Sequence, residues 1–146
     1  SKWYLGRATF FSRELFVAML SVFQKKQGDQ TNLSKQAERI FSELESDSPL
    51  STKELKKLTK MQGKFYEPAY NRATKELFSR LLIVAFGEVD DGAFPSLAIG
   101  ATSVLFEDLW LQAQGLDAGD AQAIIDKFMP EGSKFRKFFD KISNSV

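Results

Sequence analysis

The sequence predicts a mainly α fold, α with a small β-hairpin, built around a winged helix-turn-helix at residues 34–100 with helices on either side. Two observations carry this expectation. Segments of helical apolar periodicity run in the order helix, helix, turn, helix. Over Leu81–Phe86 the pattern then changes to a short β-branched and aromatic run ahead of a turn signal. Charge is also partitioned along the chain. Residues 51–80 hold eight Lys and Arg against three acids, whereas 81–126 hold eight acids and neither Lys nor Arg.

The first element is an amphipathic helix over 12–26. Ser12 is its expected N-cap, and Leu15, Phe16, Met19, Leu20 and Phe23 recur at helical spacing. Lys25 and Lys26 fall in its last turn, where they oppose the negative end of the helix dipole. Residues 27–32 are polar and contain Gly28, the best linker candidate in the chain. Ser34 caps the second helix, about 35–46, with Ala37, Ile40, Phe41 and Leu44 as its apolar stripe. Asp47-Ser48-Pro49 stops it. Ser51 caps a third helix expected to reach Met61, with Glu54 completing a capping box and Leu55 and Leu58 facing inward.

Gln62-Gly63-Lys64 makes the next turn. The fourth helix starts near Pro68, a residue suited to a first helical turn, and runs to about Arg80. Ala69, Ala73, Leu77 and Leu81 line its inner face, while Asn71, Arg72, Lys75 and Ser79 point away. After the strand at 81–86, Asp91-Gly92 marks a hairpin turn, and 94–99 is the return strand, with Pro95 confined to an edge or early position. Three helices follow. One runs from a Thr102 or Ser103 cap to Gln114, with Gly115 as a left-handed stop. Another runs from Asp117 to Met129, ended by Pro130. The last begins at Ser133 and carries Phe135, Phe138, Phe139 and Ile142.

Composition narrows the chemistry. The chain has 146 residues, 43% of them hydrophobic and 14 of them Phe, the balance of a globular protein able to form a core. With no Cys and no His, it can form neither a disulfide nor a zinc–thiolate site of its own, nor use a His base or Cys nucleophile. No run of about 18 apolar residues is present, so no membrane association is expected. A cytoplasmic location is the expectation. The chain opens on Ser1 without an initiator Met, which is compatible with a piece of a longer protein.

The opening Pro49-Leu50-Ser51-Thr52 with Leu55, the helix through Tyr70–Arg80, the Leu81–Phe86 strand with Gly87, and the hairpin to Leu97 resemble the winged-helix region of bacterial AlkZ-related proteins. These are relatives of the DNA-glycosylase family that includes AlkZ and YcaQ. The segment Trp3-Tyr4-Leu5-Gly6-Arg7 with residues 10–20 is similar to what precedes that region in the same proteins. The resemblance implies a tie to DNA repair. Glycosylases of the family use a Gln-x-Gln motif, and Gln112-Ala113-Gln114 has that form, but here it follows the wing rather than preceding it. Two side chains at i and i+2 on a helix diverge by about 200°, so they read as a polar helix end.

The strongest functional signal is basic. Lys53, Lys56, Lys57, Lys60 and Lys64 recur every three or four residues, which places them on one helical face and its end, as phosphate neutralisation requires. Asn71, Arg72 and Lys75 lie on the helix that would enter a major groove, where Asn pairs with adenine and Arg with guanine. Tyr66 and Tyr70 are read equally as backbone or base contacts and as packing. Glu88, Asp90 and Asp91 would make the wing repel phosphates. Glu107-Asp108 and Asp90-Asp91 lack the convergence that acid–base or metal chemistry needs. No catalytic or metal-binding residue is assigned, and no cofactor is expected.

These readings give three segments: 1–33 helical, 34–100 winged helix, and 101–146 a helical extension packed on it. The expected function is binding of duplex DNA in repair or regulation. The alternative is an assembly module without catalytic activity, meeting a protein partner or a second copy through exposed aromatics such as Trp3, Tyr4, Phe10 and Phe11. An active glycosylase is implied by the resemblance alone.

Overall fold

A computed structural model describes residues 3, 11–27, 32–90 and 95–145, with the side chains at 27, 88–90, 95 and 96 outside the description. The expected linker at 27–32, the Asp91-Gly92 turn, and Tyr4 and Phe10 therefore lie wholly or mostly outside the described residues. Among the described residues, eight helices and three strands follow one another, and the fold is mainly helical with a small antiparallel sheet.

The winged-helix-like part begins with α2 (Lys35–Ser46), where Ser34 Oγ accepts from the Ala37 N–H at 3.2 Å. Ala37, Ile40 and Leu44 are its buried stripe. β1 (Leu50–Ser51) is a strand that the apolar pattern does not announce, because two residues carry no period. α3 (Thr52–Leu58) follows at once, its first turn held by Ser51 Oγ, which accepts from the Glu54 N–H at 3.0 Å.

α4 (Glu67–Ser79) then leads through a turn at Leu81 into β2 (Ile83–Asp90) and β3 (Pro95–Ala101). The sheet order is β1-β3-β2, with Leu50 opposite Ile99 and Ile83 opposite Ala101. An irregularity between Ala85 and Glu88 shifts the register of β2, and Gly87 adopts φ 83° there. Pro95 opens its strand, the position where a missing N–H costs least.

Six expectations need correction. α3 stops at Leu58 rather than Met61, because Lys60 takes φ 58° and turns the chain; Leu58 is left 49% exposed instead of facing inward. Ser79 is buried, its Oγ donating to the Glu76 carbonyl at 2.9 Å. The helix expected over 102–114 is broken at Phe106 (φ −124°, ψ 51°) into α5 (Thr102–Leu105) and α6 (Glu107–Gly115). Gly115 is the last residue of α6 and not a left-handed stop. Thr102 is not a cap either, since Ala101 holds that position. The Thr102 hydroxyl donates to the Leu81 carbonyl at 2.6 Å, tying α5 to the turn after α4.

Two apolar cores meet at the sheet. One gathers α2, α3, α4 and the strands around Leu55, Leu77 and Ile83. The other gathers α1 (Arg13–Gln27) with α6, α7 (Ala118–Phe128) and α8 (Lys134–Ser145) around Met19, Phe23 and Ile125. Successive residues of a strand face opposite sides, so β2 sends Ile83 to the first core and Val84 to the second. Trp3 lies in the second core at 1% exposure, edge-on to Phe11 and Phe138, so it is not among the exposed aromatics. Arg136, also buried, joins α7 to α8 by bonding Asp126 at 2.8 Å, Asp140 at 3.1 Å and the Met129 carbonyl at 3.0 Å.

Candidate nucleic-acid interface

On α3, Leu55 is fully buried and Lys53, Lys56 and Lys57 occupy the opposite arc, as a 100° step per residue requires. Lys53 and Lys57 are exposed. Lys56 is half-buried, with its Nζ 4.9 Å from the centroid of the Tyr70 ring. This geometry attracts a cation to the ring face without neutralising it. The stripe does not continue as one helical face. Lys60 leaves the helix at the left-handed residue, and Lys64 follows Gly63 (φ 91°) in the turn to α4. Both are exposed cations on a loop.

α4 buries Tyr70, Ala73, Thr74, Leu77 and Phe78 and leaves Asn71, Arg72 and Lys75 exposed. The three form a ridge, since i, i+1 and i+4 share one side of a helix. Tyr70 serves packing: it is 3% exposed, with no well-formed hydrogen bond to its hydroxyl. Burial pushes its phenol up to about 12, with Thr52 drawing it partly back, so it stays neutral under Lys56. Tyr66 is 44% exposed and forms an edge-to-face pair with Phe65 at 5.0 Å.

A groove of about 280 Å³ between α3, α4 and β3 brings Lys56 of one helix beside Asn71 and Lys75 of the other. Thr52, Thr74 and Leu97 complete its walls, and no carboxylate among the described side chains lines it. Arg80, one of the cations of 51–80, stands apart: it is buried and pairs with Glu76 at 3.7 Å. Sequence reasoning passed over Phe65, although an aromatic doublet between Lys64 and Pro68 in an otherwise polar turn was a usable signal.

Gln112 and Gln114 are both exposed, flanking the fully buried Ala113 on an unbroken stretch of α6. Glu107 and Asp108 lie in the first turn of α6, where carboxylates favour the helix dipole. Among the described residues, no three acidic side chains are grouped as a metal would need, and no helix is long and apolar enough to cross a membrane. Asp91 and the side chains of Glu88 and Asp90 lie outside the described residues. A larger cleft of about 650 Å³, lined by Phe11, Phe16 and Phe106 with Arg13, Glu107 and Asp108, opens beside α1, β2 and α6.

A family model described as "AlkZ related" matches residues 1–141. No curated protein matches the chain, and no solved structure does.

Proposed function

The chain belongs to the AlkZ-related family, and from that premise we propose that it binds duplex DNA through the face formed by α3 and α4, in a repair or regulatory setting. The observation that carries this reading is the groove that joins Lys56 to Asn71 and Lys75, with no carboxylate among the described side chains of its lining. Lys53, Lys56, Lys57, Lys60 and Lys64 neutralise phosphates. Asn71 and Arg72, on the ridge of α4, reach adenine and guanine edges, and Lys75 borders the groove. In this reading residues 34–100 present the nucleic-acid face, and 1–33 with 101–146 form the helical body behind it. Gln112 and Gln114, diverging on a continuous helix, receive no catalytic role.

The test is a titration of fluorescent duplex DNA at low and moderate salt, beside the charge reversal K56E/K57E/K60E. Binding that weakens steeply with salt and vanishes in the variant is the expected outcome. A folded protein that fails to bind at low salt removes the reading. A second reading, a protein-assembly module, draws on the cleft at Phe11, Phe16 and Phe106 and on the exposed Phe86 and Leu111. It predicts a salt-tolerant dimer or partner complex instead.

A further inference from the structure

We propose that the groove between α4 and α8 is a second phosphate-binding track, with Lys75 on one wall and Lys141 on the other; Arg72, which also lines it, keeps its role toward the bases. The inference rests on the DNA-binding reading and extends it to a helix far from it in sequence. The groove holds about 290 Å³, and Phe138 and Ile142 supply its apolar part.

Its cations outnumber its carboxylates three to one among the described lining residues. The one carboxylate that lines it, Glu76, is already engaged: its Oε1 accepts from the Ser34 N–H at 3.1 Å and its Oε2 from the Ser34 hydroxyl at 2.9 Å. Glu76 also pairs with Arg80 at 3.7 Å. Asp140, beside Lys141 in sequence, is taken by Arg136 at 3.1 Å. Among the described residues, Arg72, Lys75 and Lys141 make no ion pair.

Two further features fit a polynucleotide backbone. Lys134, Lys137 and Lys141 are all exposed and stand at i, i+3 and i+7 on α8, within an arc of about 60°, so the basic wall continues along the helix. Lys75 lines both this groove and the one beside Lys56. The ridge of α4 is therefore flanked by a basic groove on each side. That is the arrangement an inserted helix needs when a phosphate strand borders the major groove on either side, about 12 Å apart.

The experiment measures the slope of log affinity against log salt for the full chain on a random-sequence duplex. K141Q is expected to lower the slope by about one, and adding K134Q and K137Q by about two more, since each phosphate contact contributes roughly 0.9. The loss is expected to be equal on unrelated sequences. K127Q, on α7, should leave the slope unchanged, and thermal melting of each exposed-lysine variant should match the unaltered protein. A slope that falls in K56Q/K57Q but not in K141Q overturns this inference alone. An unaltered protein that does not bind at low salt overturns the underlying reading.

Discussion

Phe65 is 86% exposed, the largest exposure among the described large hydrophobic residues, and it sits between the basic turn and α4. A ring so placed contributes almost nothing to folding. Phe65→Ala is expected to leave stability within about 0.5 kcal/mol. If the ring stacks on a base, the same change weakens DNA binding by about 1–3 kcal/mol, which an anisotropy titration beside a denaturant melt reads directly. Tyr70 is the opposite case. Its neutral phenol is favoured by burial, with a pKa pushed up to about 12. Between pH 10 and 12 the unfolded chain therefore releases a proton that the folded chain keeps, and stability falls as pH rises. The loss should amount to about 2–3 kcal/mol, and the difference between the protein and its Tyr70→Phe variant in alkaline denaturation isolates it. Equal alkaline behaviour of the two would show that the phenol is not buried as described. Polarity and period alone did not separate the two tyrosines. Tyr66 stands at the N-cap of α4, ahead of its first turn, and stays exposed, whereas Tyr70 lies within the helix and is buried by packing.

At the scale of elements, the caps were the most legible feature. Ser12, Ser34, Ser51, Asp117 and Ser133 each accept from a backbone N–H two or three residues on, because a short side-chain oxygen satisfies an orphan donor wherever it stands. Helix ends were less legible. Leu58 and Met61 are both apolar, yet the left-handed Lys60 leaves the first exposed and buries the second. Just before the break at Phe106, α5 packs directly onto β3 where Gly100 leaves room. A Cβ at Gly100 would stand 2.1 Å from Leu105 Cδ1 and 2.7 Å from Cγ. Gly100→Ala should therefore destabilise by about 1–3 kcal/mol in chemical denaturation. The double variant with Leu105→Ala should cost less than the sum of the two single changes, and strict additivity would argue against the clash.

At the scale of the whole molecule, the sheet and Trp110 are shared. Trp110 packs against both cores, and its carbonyl accepts from Gln24 Nε2 of α1 at 3.1 Å. We expect one cooperative thermal transition, with Trp110→Ala lowering it as a unit. Two resolved transitions in calorimetry would show that the cores unfold independently. The sequence by itself determined the helices and hairpin up to Gly100 apart from β1, most caps, the inward stripes of α1, α2 and α4, and the family, because these depend on local period, capping chemistry and residue pattern. Tertiary structure alone decided that α1 shares a core with α6, α7 and α8, that β1 joins the sheet through Ile99, and that Lys141 lies across a groove from Arg72. Those contacts join residues far apart in the chain, and no local period encodes which helix face a distant helix will meet.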